Sequence, residues 1–309
     1  MEIPSALIRQ VRRDLIGPHG ATTNDFKAFV ASQRYTPDST QPLFQLRPYD
    51  ADELVAGVSG DCSRFGRATC ETLAGIASDP RAPKNAAWFV VRTYYAAFYS
   101  AHAFLRLFGR LCSNIDGAEL ARLRQACNAV GQTPPSKGFY EVSVSSNLQT
   151  LAFAPLKNSH EDTWATLTRL IDELRTNTAS VAAPKQSRDD TIVLLSAIIA
   201  NLSDNQSHTK GNFLSHFRNQ VQYRFAHQAW YPYGAKHFPT ATSPEDMVKS
   251  VLDGRYQDII GNTELVRFTN AAMQFIQLVI QIVDASATPV NQVSRHLTRD
   301  YVRIRNIYK

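Results

Sequence analysis

The segment Trp88–Gly109, WFVVRTYYAAFYSAHAFLRLFG, most constrains this chain. At about 100° per residue it winds into a helix with one broad apolar face. Val90, Val91, Tyr94, Ala97, Phe98, Ala101, Phe104, Leu105 and Phe108 share that face. Ala97 and Ala101 are small enough to let a second helix approach closely. Such a face must be buried, so the fold is organised around this helix. On the opposite side stand Trp88, Arg92, Tyr99, Arg106 and Arg110. Arginines among aromatics suit a phosphate backbone with stacked bases. They equally suit a solvated face with snorkelling arginines.

The chain has 309 residues, enough for one large domain or two modest ones. Its net charge of +6 favours anionic partners only weakly over this length. Cys62, Cys70, Cys112 and Cys127 show no CxxC spacing, which predicts reduced packing thiols and no zinc site. The start, MEIPSALIRQVRRDLIG, lacks the apolar run of a signal peptide. In Ala271–Val283, Gln274, Gln277 and Gln281 interrupt a short apolar stretch, which reads as a buried helix. The expectation is a cytoplasmic protein with no membrane span.

Periodicity predicts mostly helix. Ile8–Ile16 ends at Gly17-Pro18, and Asp50–Ile76 starts on an acidic cap. Leu120–Val130, His160–Thr176, Asp189–Leu202 and Pro244–Leu252 follow. Ser32–Tyr49 carries Pro37, Pro42 and Pro48 and reads as loop. Tyr140–Phe153 alternates loosely and holds the only strand material expected. Asp79–Pro83 is a breaker, and it divides an N-terminal extension, 1–79, from a domain over 80–309 with a basic tail. That tail, including Arg299, Arg303, Arg305 and Lys309, has the charge to grip an anionic polymer or to fray.

A second segment, His216–Pro232, reads HFRNQVQYRFAHQAWYP. Leu214, Phe217, Val221 and Phe225 take core spacing. His216, Asn219, Gln220, Tyr223 and His227 lie on the other side, with no lysine or glutamate among them. Imidazoles titrate near neutral pH and serve as general acids or bases. Arg218 and Arg224 have the fork geometry to hold a phosphate. The alternative is that both histidines are polar packing residues. No P-loop, HExxH, GxSxG or dinucleotide fingerprint occurs.

The run Arg92-Thr93-Tyr94-Tyr95-Ala96-Ala97-Phe98-Tyr99-Ser100-Ala101 resembles the tyrosine-alanine helix of HEPN domains. These are helical-bundle domains of prokaryotic toxin–antitoxin and antiviral systems and of some eukaryotic nucleases. Arg218-Asn219, followed by Tyr223 and His227, is similar to the family's Arg-polar-x-x-x-x-His signature. The resemblance covers roughly residues 80–283. It implies a mainly α fold: a HEPN-type bundle, an N-terminal helical extension and at most a short β element near 140–153. It implies a metal-independent, cofactor-free endoribonuclease acting as a homodimer, with RNA as substrate and a regulatory protein as a further partner. Catalysis would fall to Arg218, Asn219, Tyr223 and His227, and RNA contact to His216, Arg224, Arg92, Tyr99 and Arg106. A non-catalytic module that binds RNA or protein is the alternative.

One departure matters. The family separates its Arg and His by about four to six residues, whereas eight lie between Arg218 and His227. On an unbroken helix these two would point about 180° apart. Either the helix bends or ends before His227, or Tyr223 takes its place, or the site is inactive.

Overall fold

The computed structural model describes residues 3–16, 25–78, 86–230 and 243–286. The first helices are short: α1 (Ser5–Ile8) and α2 (Phe26–Ser32). Helix α3 (Ala51–Ala77) starts where the Asp50 carboxylate accepts the Asp52 amide at 2.8 Å. It pairs extensively with α4 (Ala86–Leu107). Thr69 Oγ1 and Ser100 Oγ meet across that seam at 3.2 Å. Helices α5 (Gly117–Ala129), α6 (Glu161–Asn177), α7 (Lys185–Leu202), α8 (Phe213–Arg224), α9 (Pro244–Leu252) and α10 (Glu264–Ser286) complete the set.

The larger core is helical. Trp164 of α6, Phe104 of α4 and Phe275 of α10 are fully buried and meet ring to ring. Helix α10 is long and apolar enough to cross a membrane by composition, but most of it is buried here. All four cysteines are free and buried.

The expectation of a helical bundle with at most a short β element near 140–153 is corrected. A five-stranded antiparallel sheet is present, in the order β1-β2-β5-β4-β3. Its strands are β1 (Tyr35–Asp38), β2 (Phe44–Pro48), β3 (Arg110–Ile115), β4 (Gly138–Val144) and β5 (Leu151–Leu156). A second core forms on it around Phe26, Tyr35, Leu46, Val142 and Phe153.

The reasons are local. Pro37 lies in the edge strand β1 and Pro48 ends β2, positions where a missing N–H is tolerated. The three prolines therefore punctuate a hairpin that is not a loop. Strand β3 follows α4 almost at once through Gly109, at φ 76°, so no polar linker marks the change of period. Residues before Asp79 contribute β1 and β2 to the sheet, Phe44 pairing with Phe153.

Candidate anion-binding cleft

Helix α8 is set against α4 and α10, and a glycine lets the turn before it close onto α6. Gly211, in the turn before α8, has φ +67°, and a Cβ there would lie 1.9 Å from Thr168 Oγ1 of α6. Both the left-handed backbone and the close approach exclude a side chain. The helix then runs to Arg224 and stops. Phe225 adopts φ 53° and returns its N–H to the Gln220 carbonyl.

The loop before α6 is fixed as well. The Asp162 carboxylate accepts the Lys157 and Asn158 amides at 2.7 and 2.9 Å. This presents Asn158, His160 and Glu161 toward α8. Between them opens a polar cleft of about 440 Å³. Tyr95 supplies the α4 side, and Ser215, His216, Arg218, Asn219 and Tyr223 the α8 side.

Arg218 is the centre of the cleft. It is only 3% exposed. Its guanidinium lies over the Tyr94 ring at 4.6 Å, with Tyr95 and Tyr223 at 5.6 and 5.8 Å. Nη1 donates to Gln222 Oε1 at 3.3 Å, and the buried Nε has no partner. No carboxylate among the described residues pairs with it. The carboxylate at the rim, Glu161, is tied to Lys210 at 3.2 Å. Ring faces stabilise a cation by about 1 kcal/mol each, but they do not neutralise it. A buried, unneutralised guanidinium leaves a site complementary to an anion.

His160 packs its ring on Phe98 at 4.6 Å and places Nδ1 2.8 Å from the Tyr94 hydroxyl. Trp164 Nε1 donates to the same oxygen at 3.3 Å. Burial first, and Arg218 second, hold the His160 pKa below the usual imidazole range. Burial pushes the Tyr94 phenol up, opposed by Trp164, Ser215 and Arg218.

The structure gathers four of the residues singled out by sequence, Arg218, Asn219, Tyr223 and His216, in one cleft. It does not bring His227 there. That residue follows the end of α8 at φ 61°, stacks on Phe217 at 4.7 Å, and sets Nε2 3.0 Å from Gln220 Oε1 and 3.3 Å from Glu264 Oε2. Arg224 is exposed at the helix end. On α4, Arg92 donates to the Gly75 carbonyl at 2.9 Å, and Tyr99 is half-buried beside Phe65 and Tyr95.

Arg106 corrects the picture of an outward arginine stripe. It is 2% exposed, pairs with Asp61 at 2.8 Å, and lies over Phe65 at 4.5 Å. Helix α4 is covered on more than its apolar face because α3 packs where solvent was expected.

Sequence reasoning missed His160, Tyr94 and Asn158. Tyr94 sat on a core face, as the structure has it, and nothing local flags its hydroxyl. The signal for His160 was its place just before an amphipathic helix. A larger hollow of about 860 Å³ between α1, α7 and α10 offers only Asp190 and Tyr256 as ionisable groups. No protein-family model matches this chain, and neither the curated proteins nor the solved structures give a significant match.

Proposed function

We propose that the Arg218 cleft engages the phosphodiester backbone of RNA and cleaves it without a metal. The observation that carries this reading is the buried guanidinium with no carboxylate partner, facing a cleft of amides, imidazoles and phenols. The resemblance of Arg92–Ala101 and Arg218-Asn219 to HEPN signatures points the same way.

The step balances without an outside reagent. His216, exposed in the cleft, takes the proton of the RNA 2′-hydroxyl. The 2′-oxygen forms a bond to phosphorus as the bond to the 5′-oxygen breaks; that oxygen takes a proton from water, and the protonated His216 returns its proton to the hydroxide so formed. Arg218 meets the charge that develops on the phosphoryl oxygens, and Asn219 orients them. The products are a 2′,3′-cyclic phosphate and a 5′-hydroxyl. DNA lacks the internal nucleophile and is inert. A homodimer, and a place in a toxin–antitoxin or antiviral system, extend the same reading.

A second reading, an RNA-binding module without cleavage, is favoured by His227 standing outside the cleft. Incubation with total RNA in EDTA decides between them. Cleavage by the wild type, lost in Arg218→Met and His216→Ala, supports the nuclease. Arg218-dependent binding with intact RNA selects the module.

A further inference from the structure

The polarity of the hydrogen bonds around Tyr94 has a consequence for His160. Trp164 Nε1 can only donate, and it reaches the phenol oxygen at 3.3 Å. The Arg218 guanidinium, also donor-only, lies over the same residue and attracts the lone pairs of that oxygen. The Ser215 hydroxyl also neighbours that oxygen, but the acceptor in hydrogen-bond geometry is His160 Nδ1, 2.8 Å off, so the phenolic hydrogen turns to it and away from both donors. An imidazole whose Nδ1 accepts carries its proton on Nε2. Nε2 has no hydrogen-bond partner among the described residues, and His160 lines the cleft.

We propose that His160 is a second phosphate ligand of this cleft: a neutral imidazole, held in the Nε2–H form by Tyr94, that donates to the phosphoryl oxygen whose charge Arg218 meets. This rests on the reading of the cleft as an RNA phosphate site. It adds a ligand from α6 that the α8 signature does not contain, and a reason for burying the Tyr94–Trp164 pair beneath it.

The depressed pKa supports the assignment, because it keeps the ring neutral under ordinary conditions. Burial beside a guanidinium disfavours imidazolium, whereas a neutral N–H donor is compatible with both neighbours. A neutral donor also avoids a second buried charge in the empty cleft.

The test has two arms. In the first, nitrogen-15 NMR of the folded wild type reads the protonation of each His160 nitrogen, with His160→Gln identifying the resonance. The expected result is a bare Nδ1 and a protonated Nε2, with Nε2 moving when a 2′-O-methyl oligoribonucleotide is added. A protonated Nδ1 overturns the proposal.

The second arm measures binding of the same non-cleavable oligonucleotide. His160→Phe removes the donor and lowers affinity roughly tenfold or more, the scale of a hydrogen bond to a charged group. His160→Gln places an amide N–H near the Nε2 position and retains most of it. If His160→Phe binds like the wild type while Arg218→Met does not, the His160 assignment fails and the cleft reading stands. If Arg218→Met also binds like the wild type, the cleft reading itself has failed.

Discussion

Two buried arginines in this protein sit in nearly the same physical setting and end differently. Arg106 and Arg218 are 2% and 3% exposed, and each lies over an aromatic ring, at 4.5 Å on Phe65 and 4.6 Å on Tyr94. Arg106 has Asp61, through Nε at 3.2 Å and Nη2 at 2.8 Å, and it donates to the His102 carbonyl at 3.0 Å. Arg218 has one long bond to Gln222 and an orphaned Nε. The first is a closed network inside the α3–α4 pair. The second is an open one at the edge of a cleft. Burial alone does not mark an arginine as structural; what decides is whether its charge is already met.

The largest effect should come from opening the closed network. Arg106→Met takes from Asp61 its buried partner and leaves it only the exposed Arg64 at 2.6 Å, which should destabilise the protein by about 3 kcal/mol. Urea denaturation checks this, and adding Asp61→Leu should restore part of the loss. No change in stability would mean that the two arginines do not differ as described.

Next comes the placement of α8. Gly211→Ala forces a strained backbone against Thr168 and should cost about 1–3 kcal/mol. It should weaken RNA binding as well, because the start of α8 shifts. Thr168→Ala in the same chain removes the closest contact and should recover some of both.

Acid sharpens the contrast further. Burial, then Arg106 and His160, holds the His102 pKa well below the ordinary value, and burial lowers that of His160. The unfolded chain therefore takes up protons that the folded one refuses. Stability should be full above the unfolded imidazole pKa of about 6.5 and fall as pH drops below it, by up to about 1.4 kcal/mol per pH unit for each such histidine. Thermal unfolding between pH 7.5 and 5 measures the slope, and His102→Phe should flatten it. The smallest effect belongs to His227→Ala. Its partners lie outside the cleft, so oligonucleotide affinity should stay within about twofold of the wild type, well under 1 kcal/mol.

How far the sequence disclosed these two settings follows from their chemistry. Periodicity located α4, α6 and α8, and the Asp50 cap located α3. Arg218, Asn219, His216 and Tyr223 were legible because one helix carries them at adjacent turns. His160 was not, because its link to Arg218 runs through Tyr94 across three elements. Asp61 and Arg106 were equally hidden: an amphipathic wheel shows which side of a helix is polar, but not that a second helix brings a carboxylate to it. The sheet was missed where prolines and a single glycine replaced the usual boundary signals, at Pro37, Pro48 and Gly109.

The most direct measurement pairs affinity with stability in Arg218→Met. The variant keeps the stem and removes the charge, and binding of a 2′-O-methyl oligoribonucleotide is read beside thermal unfolding. An open, anion-directed arginine predicts a loss of affinity of at least roughly tenfold, with stability changed by no more than about 1 kcal/mol. Unchanged affinity in the folded variant, together with a loss of stability as large as that of Arg106→Met, would make Arg218 a structural residue and contradict the account.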